Sequence, residues 1–157
     1  MTKLYLIGSL RNPEVPLIGN RLRDLGFDVF DDWFGGGPEA DDEWKKYEQT
    51  KGRTYFDAIH DRYATHIWEF DKHHLDTSDG CVMVHPVGRS AHIELGYMIG
   101  LGKPSYVYFP DAALTNGERW DVMYRFATDV FHDIDDLVDE VKLRLLWTSL
   151  RNGGEPE

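Results

Sequence analysis

The run DGCVMVHPVGRSAHIELGYMIGLGKPSYVYF, from Asp79 to Phe109, holds one carboxylate past Gly80, Glu94, in a chain that carries 28 acidic residues. Around it at helical spacing stand Ala91, Ile93, Leu95, Tyr97, Met98, Ile99 and Leu101, so the expected helix is apolar on nearly every side and largely buried. A stray surface charge does not fit that setting. A capping box does not fit either, because the third residue after Ser90 is Ile93 and Glu94 comes fourth. A carboxylate in the first turn of a buried helix is stabilised as the anion by free N–H groups and the helix dipole. Such a group is a nucleophile for an electron-poor carbon.

Two turns rich in polar groups flank this chemistry. Gly8-Ser9-Leu10-Arg11 follows one β-type run, and His85-Pro86-Val87-Gly88-Arg89-Ser90 follows another. Each opens a helix, so two Ser, two Arg and two helix N-termini are available to hold an anionic group. Asp71 lies four residues after Ile67, about 40° round a helix from it, and leans to the buried side. The loop Asp31 to Pro38 carries Trp33, Phe34 and a glycine triplet, which suits a mobile lid with aromatics for stacking on a ring. No Lys-Ser/Thr follows the triplet, so it is not a phosphate loop. The seven histidines give no HxxxH or HExxH pair, so no metal is expected.

The elements that must position these groups alternate between strand and helix. Lys3 to Ile7, Phe27 to Phe30, Cys81 to Val84, the run after Pro104 and a short stretch near Val130 read as strands. Pro13 to Leu25, Glu39 to Thr50, Arg53 to Leu75, the segment after Ser90, Glu118 to Ala127 and Ile134 to Leu150 read as helices. In Arg53 to Leu75, Phe56, Ile59, Tyr63, Ile67, Phe70 and His74 form one inward ridge. Right-handed crossovers then give a doubly wound α/β fold, flavodoxin/Rossmann-like, with a five-stranded parallel sheet and helices on both faces. With strand order 2-1-3-4-5, the crevice opens at the C-terminal ends of strands one and three, where both polar turns fall.

Bulk composition narrows the classes. A length of 157 residues with 41% hydrophobic content suits one domain over 1–157, with 31–52 a loop or lid insertion and 151–157 a frayed tail. A net charge of −11 repels nucleic-acid polymers and anionic membranes but leaves room for a single nucleotide. The lone Cys81 reads as a buried, inert thiol, and with no apolar span or signal-like start the chain reads as cytoplasmic.

The run AHIELGYMIGLGKP resembles the nucleophile helix of the nucleoside 2-deoxyribosyltransferase family, with its ELGYA-like motif followed by GK, and that of the related 2'-deoxynucleoside 5'-monophosphate N-hydrolases. YLIGSLR, Tyr5 to Arg11, is similar to the opening strand of the N-hydrolases, where a GSIR-type turn holds the 5'-phosphate. The resemblance implies that Glu94 attacks the anomeric carbon of deoxyribose, that Asp71 orients the sugar or protonates the leaving base, and that Tyr5 contacts the nucleophile. It implies substrate contacts from Gly8, Ser9, Leu10, Arg11, Gly88, Arg89, Ser90 and Trp33, and a short segment, Asp121 to Met123, lent by a neighbouring subunit of a homodimer or larger homo-oligomer. The partners implied are a deoxynucleoside or deoxynucleotide and a free nucleobase, with no cofactor.

Two positions depart from the family pattern. Gly88 stands where transferases commonly carry an Asp six residues before the nucleophile, and Asp121 where they offer Asn. With Ser9, Arg11, Arg89 and Ser90, the first departure favours a phosphorylated substrate and water as acceptor. The expected function is therefore cleavage of the N-glycosidic bond of a 2'-deoxynucleoside or its 5'-monophosphate, resolved by a second base or by water. The alternatives are a strict monophosphate N-hydrolase, a glycohydrolase acting on NAD or a ribonucleotide, and a non-catalytic nucleotide-binding module.

Overall fold

The computed structural model describes residues 1–111, 115 and 120–152. Five strands, β1 (Lys3–Ile7), β2 (Asp28–Phe30), β3 (Gly80–Val84), β4 (Ser105–Tyr108) and β5 (Asp129–Phe131), pair in parallel in the order β2-β1-β3-β4-β5. Side chains alternate across the pleat, so the central strands feed two cores. Leu4, Leu6, Val82, Val84 and Tyr106 pack against α1 (Glu14–Asp24) and α6 (Ile134–Val141). Tyr5, Ile7, Cys81, Met83 and Val107 pack on the other face against α4 (Arg62–Thr77) and α5 (Arg89–Gly100). This is the expected doubly wound sheet. Burial pushes the Cys81 thiol up to about 12, so it stays protonated and unreactive.

Several local expectations are corrected. Arg53 to Leu75 is not one helix: α3 (Tyr55–Ala58) stops, and α4 restarts behind Asp61. Thr54 and Asp57 form a capping box, and the Asp61 side chain accepts from the Arg62 N–H, so each helix has its own start. The ridge from Phe56 to Phe70 is exposed rather than core. In addition, α5 buries only the stripe Ala91, Leu95 and Met98, while Ile93 is 73% and Leu101 46% exposed. The helix expected from Glu118 begins outside the described residues, and its second half, Val122–Phe126, is a 3-10 turn. The C-terminal helix is interrupted by a π segment, Lys142–Leu146, before α7 (Trp147–Asn152). Of the tail 151–157, residues 153–157 lie outside the described residues.

The Gly102-Lys103 pair closes α5 and braces α4. Gly102 takes φ +73°, the left-handed conformation that ends a helix without cost to a residue lacking Cβ. Lys103 Nζ then donates to the carbonyls of Leu75 and Asp76 at 3.0 and 2.7 Å, satisfying the C-terminal end of α4.

Residues 31–52 form a 3-10 turn (Asp32–Gly36) and a helix, α2 (Ala40–Thr50), held by Arg53. Its guanidinium bonds Glu48 at 3.1 Å and also pairs with Asp61. Glu48 is only 3% exposed, so the ion pair compensates a charge the fold has desolvated. Arg53→Ala is expected to cost about 2–3 kcal/mol, read as a lowered urea midpoint with unchanged slope. Stability equal to wild type would remove Arg53 as the anchor of this segment.

Candidate active site

β1 has β2 on one side and β3 on the other, and the chain reverses its winding between them. Outside their C-terminal ends lies a cleft of about 730 Å³. Glu94 and Asp71 both line it, with Gly8, Ser9, Leu10 and Arg11 from the first turn, Gly88 and Ser90 from the second, and Trp33. Tyr5 stands behind this lining on β1, 1% exposed, with its hydroxyl bonded to the Glu94 carboxylate. Arg89, Asp121 and Met123 do not line the cleft of this chain. Asp121 instead accepts from the Met123 N–H at 2.9 Å, and Met123 is exposed.

Helix α5 is capped by Gly88, not Ser90, so Glu94 sits in the second turn rather than the first. There the backbone N–H groups are already engaged within the helix, and the expected stabilisation of the anion is outweighed. Burial pushes the Glu94 carboxyl up to about 7; the Tyr5 hydrogen bond opposes this and the nearby Asp71 reinforces it. Its Oε2 is buried with no partner among the described residues. Burial likewise pushes Asp71 up to about 6. Desolvation, then the two carboxylates, hold the Tyr5 hydroxyl far above its ordinary value, so it is a neutral donor. Two carboxyls that titrate near neutrality against one another can divide nucleophile and acid between them.

The first turn is fixed by a residue sequence reasoning missed. Buried Asn12 donates from Nδ2 to the carbonyls of Val84 and His85 at 3.4 and 3.2 Å, and its Oδ1 accepts from the Glu14 N–H at 3.1 Å. One side chain thus staples the turn after β1 to the end of β3. Asn ahead of Pro13 and Glu14 at a helix start was the available signal. Gly8 is needed for close approach, since a Cβ there would meet Val15 Cγ2 at 2.7 Å. Trp33 is no swinging lid residue: its Nε1 donates to the Leu6 carbonyl at 2.8 Å, pinning the ring to β1.

At Gly88 a Cβ would meet nothing within 4 Å. A second hollow of about 280 Å³ lies between the two turns, lined by Ser9, Arg11, Asn12 and Pro86 to Gly88. Arg11 faces both spaces and pairs with Asp42 at 3.3 Å, an exposed contact. Asp32, Asp41, Asp42, Trp44 and Tyr63 also line the main cleft, and none of them was among the expected site residues.

With this arrangement in view, the chain superposes on the 2-deoxyribosyltransferase of Bacillus psychrosaccharolyticus with a TM-score of 0.54 and 23% identity, over 87% of this chain and 90% of that one. The chain has the 2-deoxyribosyltransferase fold. A CMP N-glycosidase of Clostridium botulinum aligns with a TM-score of 0.48 and 10% identity, over 90% of this chain and 99% of its own. No protein-family model matches the sequence, and no curated protein does. Within the 2-deoxyribosyltransferase fold the carboxylate pair falls at the switch point of the sheet, where open α/β sheets bind their ligands.

Proposed function

We propose that the protein cleaves the N-glycosidic bond of 2'-deoxynucleosides or their 5'-monophosphates through a covalent deoxyribosyl-Glu94 intermediate. The observation that carries this reading is the pair Glu94 and Asp71, facing one cleft and both pushed towards neutrality, with one Glu94 oxygen left without a partner among the described residues. The 2-deoxyribosyltransferase fold supports it. A Glu94 oxygen bonds to C1' as the C1'–N bond breaks, and the bond's electron pair leaves with the base, which takes the proton of Asp71. Water or a second base then attacks C1', the ester breaks back to the Glu94 carboxylate, and Asp71 recovers a proton from the incoming nucleophile. Tyr5 holds Glu94 in line. The exposed 3-10 turn Val122–Phe126, with Asp121 and Met123 at its start, is offered to the cleft of a neighbouring copy.

The narrower reading, a monophosphate N-hydrolase, is favoured by the hollow between the turns, where Ser9 and Arg11 face the space a 5'-phosphate would take. Chromatography of each deoxynucleoside and its 5'-monophosphate, incubated with and without a second free base, separates the outcomes. Exchange of bases marks a transferase, and release from monophosphates alone marks an N-hydrolase. No product from any of them would overturn the enzymatic reading.

A further inference from the structure

The cleft is longer than a nucleoside needs. Helix α4 lines it with one stripe, Tyr63, Ile67, Phe70 and Asp71, at the i, i+4, i+7, i+8 spacing of a single helix face. Tyr63 lies eight residues before Asp71, about 12 Å of helix at 1.5 Å per residue. The chemistry is at the Asp71 end. A purine joined to the carbon beside Glu94 is two fused rings, shorter than that run of helix.

The far end is a built aromatic wall. Trp44 of α2 and Tyr63 lie nearly parallel, ring centroids 6.3 Å apart at 18°. Trp44 shares its helix face with Glu48, four residues on, a buried carboxylate whose ion pair with the part-buried Arg53 fixes α2 in place. Tyr63, Ile67, Trp68 and Phe70 nevertheless keep between 42% and 60% of their surface exposed, all within the cleft lining. Apolar surface left open inside a concave site that already holds reactive groups is ligand surface.

We infer that the stretch of cleft from Phe70 to the Trp44–Tyr63 pair is a specificity subsite for a base carrying a bulky apolar or aromatic extension. The inference deepens the glycosidase reading above and rests on it for the reaction. The substrate class is thus a deoxynucleoside, free or phosphorylated, whose base is extended away from the sugar. The extension lies along α4 while C1' stays at Glu94, so recognition of the base and bond cleavage fall to different elements of the fold.

The test compares N6-benzyl-2'-deoxyadenosine with 2'-deoxyadenosine, each as nucleoside and as 5'-monophosphate. Wild type is expected to favour the benzyl compound by about fivefold or more in kcat/KM, and Trp44→Ala and Tyr63→Leu, made separately, to bring that ratio near one. A wild-type ratio at or below one, or a preference that survives both variants, overturns the inference. Release of no base from any of the four compounds would count against the glycosidase reading itself. The subsite is judged apart from turnover by titrating free N6-benzyladenine and adenine against tryptophan fluorescence. About fivefold tighter binding of the benzyl base, weakened in both variants, upholds the subsite; equal affinities overturn it.

Discussion

Glu94→Gln is expected to lower kcat by about a thousandfold or more while the protein folds, because an amide oxygen neither forms nor releases the sugar ester at a useful rate. The substitution keeps the volume and still offers the Tyr5 hydroxyl an acceptor. A second effect of opposite sign identifies the cause. A carboxyl held at about 7 in the fold and near its ordinary value unfolded binds its proton more tightly when folded. Below the unfolded value both states are protonated and the group contributes nothing. Stability is then lost as pH rises towards about 7, and above that the full cost of the buried charge is present. The Gln variant carries no such cost. It should melt a few degrees above wild type at pH 8 and level with it at pH 4. Wild-type-like turnover would remove Glu94 as nucleophile. A variant no more stable at pH 8 would show that the carboxylate is not under strain from burial.

How far this was legible from the chain depends on whether the signal was local. The parallel strands were, since Leu4/Leu6 and Tyr5/Ile7 alternate inside a run bounded by Gly8, and Val82/Val84 and Cys81/Met83 repeat the pattern. The two turns and Glu94 were visible because each breaks the composition around it. The division at Ile59 to Asp61 was written in Thr54, Asp57 and Asp61, but the apolar ridge running through it suggested one helix. Ile59, Tyr63, Ile67 and Phe70 of that ridge line the cleft, and period alone does not distinguish a core from a binding wall. The same ambiguity hid the open face of α5, where Ile93 and Leu101 are apolar and exposed.

What stayed hidden were contacts between segments distant in sequence. Asn12 acts on Val84 and His85, more than seventy residues away, and Lys103 acts on the end of α4. Neither residue type predicts its partner. The direction of the Glu94 shift is hidden for a related reason: in the sequence the helix start is counted from Ser90, whereas the backbone turns into α5 at Gly88. Being two residues further into the helix exchanges a dipole-stabilised anion for a buried carboxyl.

That exchange governs the pH dependence, and Asp71→Asn is the variant that reads it. In the wild type the pair titrates at about 6 and about 7, and the apparent values belong to the pair. The reactive form holds one proton, with Glu94 ionised to attack and Asp71 protonated to release the base; it is the minor of the two one-proton forms, because Glu94 keeps its proton to higher pH than Asp71. Below about 6 the second proton silences the nucleophile, and above about 7 the acid is lost. The kcat/KM profile of the wild type should therefore be a bell peaking between these values. In Asp71→Asn the neighbouring negative charge that raises the Glu94 carboxyl is gone, so its titration moves to lower pH and the alkaline fall disappears. The rate at the wild-type optimum should drop about a hundredfold to ten-thousandfold on an ordinary deoxynucleoside. On 7-methyl-2'-deoxyguanosine, whose base departs without needing a proton, most of that loss should be recovered. A bell unchanged in the Asn variant, or an equal loss on both substrates, would assign Asp71 to holding the sugar rather than to moving a proton.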